Sequence, residues 1–261
     1  MEIHILASGS TGNATLIRMG DAKILVDAGI SARRIKKALD AVGTAVEDLD
    51  AVLVTHEHRD HVCGLPTMVK KYRVPVYARP AAWAAMDDDG MGGAIPAECR
   101  RSMTASFDIG GVKAEAFSIS HDAADPVGFS FFHGRHKCSV ATDLGFVTET
   151  VKSALALSDV LVLEANHDID MLRQGSYPWF LKKRIMSNRG HLANTDAGWT
   201  LARLARKQHC HTFLAHMSQE NNRPELAEET VAGILAEQGC RLDEEVSLAL
   251  TFPDQTASFK L

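Results

Sequence analysis

At 261 residues, with 46% hydrophobic and 23% charged side chains, the chain has the composition of an ordinary folded protein, which excludes general disorder. A formal charge of −5 excludes a protein that coats nucleic acid through bulk electrostatics, so any polyanion site must be local. No apolar stretch approaches the roughly 18 residues of a membrane span, MEIHILASGS lacks the regions of a secretory leader, and the five cysteines (Cys63, Cys99, Cys138, Cys210, Cys240) form no CxxC pair, so a cytoplasmic protein with reduced thiols and no membrane partner is expected.

Along the chain, Glu2–Ala7, Ala14–Met19 and Lys23–Val26 read as short strands, and Gly20-Asp21 joins the last two as a hairpin. Ser31–Val42 has helical spacing: Ile35, Leu39 and Val42 share one face, Lys36 and Lys37 the other, and Ser31 is placed to cap it. Asp50–Thr55 reads as an apolar strand, His61–Tyr72 as a helix and Val74–Ala78 as a buried strand. Residues 80–99, punctuated by Asp87-Asp88-Asp89-Gly90 and Gly92-Gly93, read as a loop with a short helix. Strands return at Val112–Ser118, Val127–His133 and Cys138–Thr142, followed by a helix near Thr148–Leu155 and a β run at Val160–Leu163. Thr195–Arg206 and Glu225–Glu237 are amphipathic helices separated by the strand His211–Ala215. No repeat or linker demands a second domain, so residues 1–261 are expected to form one, and strands in two groups with helices on their outsides imply a layered α/β sandwich. Nothing in the sequence specifies an oligomeric state.

The chemistry concentrates in Thr55-His56-Glu57-His58-Arg59-Asp60-His61. His56 and His58 lie just past a strand, where residues two apart point to one side and two imidazoles can face one ion. Asp60 and His61 follow as the chain turns towards a helix, within reach of a neighbouring ion. Imidazole nitrogens with carboxylate oxygens suit Zn²⁺ or Mn²⁺, or iron where that is the available metal, and leave positions open for water.

The run Thr55-His56-x-His58-x-Asp60-His61-x-x-Gly64 resembles the signature of the metallo-β-lactamase superfamily, and later segments match in order over essentially the whole chain. The resemblance implies a four-layer αβ/βα sandwich, two mixed β-sheets flanked by helices, with a two-ion site along one sheet edge. His121 in Ser118-Ile119-Ser120-His121-Asp122, Asp143 in Ala141-Thr142-Asp143-Leu144-Gly145 and His216 in Ala215-His216-Met217-Ser218 match its later metal ligands. Carried over residue by residue, one ion falls to His56, His58 and His121, the other to Asp60, His61 and His216, and Asp143 is shared. Asp27 matches a position that supports the site without binding metal.

The superfamily hosts many chemistries, so fold and motif alone leave the substrate open. Ser8-Gly9-Ser10-Thr11-Gly12-Asn13, Glu164-Ala165-Asn166-His167-Asp168, Tyr177-Pro178-Trp179, Gly190-His191-Leu192-Ala193-Asn194 and His216-Met217-Ser218-Gln219-Glu220-Asn221-Asn222-Arg223-Pro224 resemble the YycJ/WalJ-type branch, associated with DNA exonuclease activity from 5′ ends. Where that branch often has Gly-His-Leu-Ser-Asn, this chain has Ala193 in place of the serine. The resemblance implies phosphodiester hydrolysis by a hydroxide bridging two divalent ions, with Asp60 in the catalytic centre. His191 is the first candidate for protonating the leaving oxygen and His167 the second, a role that typically adds about 10²- to 10⁴-fold. Ser8, Ser10, Thr11, Asn13, Asn166, Asn194, Ser218, Asn221 and Asn222 are the candidate substrate contacts, the Gly9–Asn13 turn offering N–H groups and hydroxyls to a terminal phosphate. Lys182, Lys183, Arg184 and Arg189, close to Trp179 and Phe180, are the candidate DNA-facing basic segment.

Three other readings share these residues. A small-molecule phosphodiesterase acting on cyclic or phosphonate-type esters would use the same ions, and an RNA nuclease like tRNase Z would add a long arm that this chain lacks. A regulatory binding protein on the same fold would show a damaged ligand set, whereas every matched position here carries a competent ligand.

Overall fold

The computed structural model describes residues 1–261. Two seven-stranded mixed sheets stack face to face. The first contains β1 (Glu2–Ala7), β2 (Ala14–Met19), β3 (Ala22–Val26), β4 (Ala51–Leu53), β5 (Val76–Ala78) and β6 (Arg100–Ser102) in that order. The second runs from β7 (Ser106–Ile109) through β8 (Val112–Ser118), β9 (Val127–His133), β10 (His136–Ala141), β11 (Val160–Glu164) and β12 (Cys210–Ala215) to β13 (Val246–Leu250). The chain then returns to the first sheet, where β14 (Ala257–Lys260) pairs antiparallel with β1. In each sheet an antiparallel meander gives way to parallel strands, at β3–β4 in the first and at β10–β11 in the second.

Three hydrophobic clusters correspond to three interfaces, which makes the molecule four-layered. Alternation along the strands divides the apolar side chains: Leu16 and Leu25 face outward beneath the helices, while their neighbours Ile17 and Ile24 face the other sheet. Both faces of these strands are therefore buried, which is why they read as nearly unbroken apolar runs. The outer face of the first sheet is covered by α1 (Ala32–Ala41), the single-turn α2 (Arg59–Val62), α3 (Leu65–Tyr72) and α4 (Pro80–Asp88). Phe129, Phe131 and Phe213 fill the space between the sheets. On the far face lie α5 (Glu149–Leu155), α8 (Asn194–Arg203) and α9 (Pro224–Glu237), with α6 (Ile169–Gln174) and α7 (Trp179–Ile185) in the connection from β11 to α8.

Ser31 caps α1 as expected, accepting from the Arg34 amide. The single helix expected over His61–Tyr72 is instead two, broken at Cys63-Gly64. Gly64 donates to Ala28 O at 2.8 Å, and a Cβ there would lie 2.2 Å from Ile30 O, so close backbone contact with the β3–α1 loop forces the interruption. Residues 80–99 carry more order than a loop with a short helix. Pro80 starts a nine-residue helix that buries Ala82, Trp83 and Met86, and the Trp83 indole donates to Arg101 O. No helix is long and apolar enough to cross a membrane.

Candidate metal centre

The chemistry-bearing side chains follow the carboxyl ends of strands along one edge of the sandwich. Asp27 comes directly after β3, His56 and His58 after β4, His121 after β8 and Asp143 after β10; Glu164 ends β11 and His216 comes directly after β12. Three of these residues sit in the left-handed region that side chains avoid: Asp27 at φ 60°, Asp143 at φ 60° and His216 at φ 56°. Such strain persists only where surrounding structure imposes it, and here it turns each side chain off its strand end into the centre.

Two donor groups meet there. His56 Nε2 and His121 Nε2 lie 3.1 Å and 3.4 Å from His58 Nδ1. His61 Nε2 and His216 Nε2 each lie 3.5 Å from Asp60 Oδ2. Asp143 stands between the groups, with Oδ2 3.2 Å from His61 Nε2 and Oδ1 3.6 Å from both His121 Nε2 and His216 Nε2.

The far nitrogens of most of these rings are already engaged. His61 Nδ1 meets Asp27 Oδ2 at 2.7 Å, His216 Nδ1 meets Glu164 Oε1 at 2.9 Å, His121 Nδ1 meets Gly190 O at 3.1 Å and His56 Nδ1 meets Thr55 Oγ1 at 3.0 Å. With those outer nitrogens engaged, each ring can turn its inner nitrogen to a cation beside Asp143, whose Oδ2 is buried without a hydrogen-bond partner. Imidazole nitrogens and carboxylates converging in this way fit divalent metal.

The local fields differ across the centre. Burial, and then the neighbouring His61, push the His56 pKa well below its usual value, and burial lowers His121 as well. Burial also opposes charge on His61, yet Asp143 and Asp27 outweigh it and raise that ring's pKa well above normal. For His216, burial is overcome by Asp143, Asp60 and Glu164, giving a value of about 10. Glu164 is itself held down to about 2, because His191 and His216 outweigh the cost of its burial.

Residues 22–217 match the β-lactamase superfamily domain. The chain is 37% identical to the exodeoxyribonuclease YycJ of Bacillus anthracis, over 97% of this chain and 96% of that one. It is 36% identical to the exodeoxyribonuclease WalJ of Streptococcus pneumoniae, over 96% and 94%. The chain belongs to the metallo-β-lactamase superfamily, in its YycJ and WalJ branch. The fold agrees with the crystal structure of the metallo-β-lactamase fold protein YhfI from Bacillus subtilis, at TM-score 0.72 and 15% identity over 98% of both chains.

Around this metallo-β-lactamase centre the remaining candidates separate into near and far. His191 joins it: Nδ1 lies 2.8 Å from Glu164 Oε1 and 3.7 Å from Asp143 Oδ1, and the ring keeps 19% exposure. His167 does not, since it is buried with Nδ1 unpartnered, and burial lowers its pKa to about 4. Of the candidate substrate contacts, Ser10 and Thr11 are exposed at a turn tip and the others are buried. Ser8 Oγ accepts from the His216 amide, Asn166 donates to His216 O, and Asn13 spans the turn by exchanging hydrogen bonds with Gly9. Asn194 and Asn222 pair amide to amide at 2.9 Å, and Ser218 Oγ accepts from the Asn221 amide. Asn221 itself is buried with no side-chain partner.

The basic segment is also less free than its sequence implies. Lys182 is buried and donates to Arg173 O and Gly175 O, and Arg184 pairs with Asp122, leaving Lys183 and Arg189. Glu164, which orients both His191 and His216 and accepts from the Leu144 and Leu192 amides, was not among the predicted site residues. Its signal was present, because an acid closing the run Val160-Leu161-Val162-Leu163 must be buried and therefore paired.

Proposed function

We propose that this chain is a two-metal nuclease that degrades DNA from 5′ ends. The observation that carries the metal assignment is the junction of His56, His58 and His121 with Asp60, His61 and His216 through Asp143. Divalent ions held there, Mn²⁺ or Zn²⁺, would supply an activated water and offset charge building on a phosphoryl group. The near-full-length relation to exodeoxyribonucleases favours DNA over a small phosphodiester or RNA. A cytoplasmic setting suits the five unpaired cysteines.

We assign His191 as the proton donor to the leaving oxygen. The Glu164 carboxylate on Nδ1 fixes the ring, and partial exposure lets a substrate reach it. His167, buried and without a charged partner in contact, suits this role less well. Asp60 is proposed as both ligand and part of the catalytic centre. Ser10 and Thr11 are proposed to meet a substrate phosphate, while the buried Ser8, Asn13, Asn166, Asn194, Ser218, Asn221 and Asn222 are proposed to hold the loops that frame it.

The test is a substrate panel under Mn²⁺ and Zn²⁺: 5′-phosphorylated duplex DNA, single-stranded DNA, precursor tRNA and a bis-aryl phosphodiester. Shortening of DNA from its 5′ ends is expected. Turnover of only the bis-aryl diester would replace this reading with a small-molecule phosphodiesterase.

A further inference from the structure

Four of the five residues Arg33-Arg34-Ile35-Lys36-Lys37 are cationic, a denser run than the Lys182–Arg189 segment, and all four lie on the outer side of α1 while Ile35 packs beneath. Lys36 pairs with Asp40 at 2.6 Å, whereas Arg33, Arg34 and Lys37 have no carboxylate partner. Arg34 instead donates to Pro253 O, which fixes its guanidinium over a cleft beside the helix. That cleft, of about 530 Å³, is bounded by Thr11, Ile30, Arg34, Lys37, Gln219 and one acid, Asp254.

The cleft adjoins the metal centre through a single layer of backbone. Thr11 lies at the tip of the turn whose Asn13 amide donates to Asp60 O at 2.8 Å, and Gly29, just before α1, donates to Asn13 O at 2.7 Å. A Cβ on Gly29 would fall 1.6 Å from Asp60 O, so this backbone contact admits only glycine. The position of the α1 cations relative to Asp60 is thereby fixed. Residues 33–37 span just over one helical turn, about 6 Å of axis. In a chain of net charge −5, three cations without carboxylate partners gathered in one turn suit a polyanion.

We propose that the cleft between α1 and the Ser8–Asn13 turn binds the sugar–phosphate backbone of the DNA beyond the scissile phosphate. Arg34 and Lys37, which line the cleft, and Arg33, exposed on α1 outside it, contact the phosphates, and Thr11 leads the strand towards the metal centre. The inference rests on the nuclease reading above and adds where the polymer lies.

The test compares wild type with Arg33→Gln/Arg34→Gln/Lys37→Gln, and with Arg33→Gln/Lys37→Gln, which keeps the Arg34–Pro253 contact. Binding of a labelled 5′-phosphorylated duplex of about 20 base pairs is followed by anisotropy in chelator across a salt series, and hydrolysis of a bis-aryl phosphodiester is followed in Mn²⁺. The triple variant should bind the duplex at least about tenfold more weakly, and its log–log salt dependence should flatten by roughly 2 to 3, near 0.9 for each phosphate no longer neutralised. The double variant should show a smaller change of the same kind, and hydrolysis of the small diester should stay within about twofold. Unchanged duplex affinity and salt slope would overturn the proposal, as would parallel loss on both substrates, which would mark damage to the Asp60 loop. Failure of the nuclease reading is distinct, because wild type itself would then neither bind nor shorten DNA.

Discussion

The two donor groups are built from similar residues but supported differently. His56, His58 and His121 present only imidazoles, and the outer nitrogens of His56 and His121 rest on a hydroxyl and a backbone carbonyl. In the other group Asp60 is itself charged, and His61 and His216 donate to the carboxylates of Asp27 and Glu164. A carboxylate behind an imidazole raises its basicity and fixes its orientation. The opposite shifts of the two sets agree: His56 and His121 are driven towards neutrality, while His61 and His216 are favoured as cations. The Asp60 group should therefore hold its ion more tightly, and a two-ion centre of this kind should fill in sequence.

Asp143 couples the groups, so its loss should have the largest effect. Asp143→Ala is expected to lose metal from both groups and to lower hydrolysis by more than the roughly 10- to 100-fold that loss of a ligand's supporting partner costs. Metal analysis after dialysis, with circular dichroism to verify folding, checks this; retention of two ions would show that the groups are independent. Glu164→Gln should follow, losing about 10- to 100-fold in affinity mainly at the Asp60 group. Asp27→Asn should lose less, because Asp27 holds one imidazole with the Thr55 amide and hydroxyl, whereas Glu164 holds two imidazoles, His191 and His216, and two backbone amides. Competition with a fluorescent chelator resolves the order of loss, and early loss from the three-histidine group in both variants would contradict the asymmetry. Thr55→Val is smaller still. Thr55 Oγ1 touches both groups, at 3.0 Å from His56 Nδ1 and 3.2 Å from His61 Nδ1, so about 1 kcal/mol should be lost from each. A deficit in only one would place the hydroxyl with that group alone.

How much of this was legible in the sequence follows from how local each signal is. The His56–His61 run declares itself because its candidate ligands are close together in the chain, and the doubly buried strands do so through continuous apolar runs. His121, Asp143 and His216 each follow a strand without local distinction, and only their order relative to the first motif singled them out. The edge strands β6, β7, β13 and β14 lie outside the expected elements; pairing partners, rather than their own side chains, determine the polar ones, β6, β7 and β14. Candidate substrate contacts were the weakest inference. Asn13, Asn194 and Asn222 look like surface polar residues in sequence, whereas folding buries them and commits their amides to one another or to backbone. Whether Asn binds a ligand or a loop depends on burial, which spacing does not encode.

The smallest effect on the centre should come from a histidine outside both groups, which separates the scaffold from the site. His211 on β12 stacks on Phe259 at 3.8 Å and meets Ser247 Oγ at 2.8 Å, joining sheet edge to sheet edge. Burial, with His209 nearby, lowers its pKa from the ordinary 6.5 to about 4. The unfolded chain therefore takes up this proton at higher pH than the folded one does. The stability contributed by keeping the ring neutral is complete above about pH 6.5 and is lost progressively as pH falls towards 4. In metal-free protein, His211→Gln should lose less stability than wild type between about pH 7 and pH 4.5, read as the shift of the urea midpoint, with hydrolysis by the metal-loaded variant unchanged. An identical midpoint shift in both proteins would assign the acid sensitivity to the centre instead, to His56, His121 and the carboxylates of Asp60 and Glu164, whose pKa values are also lowered.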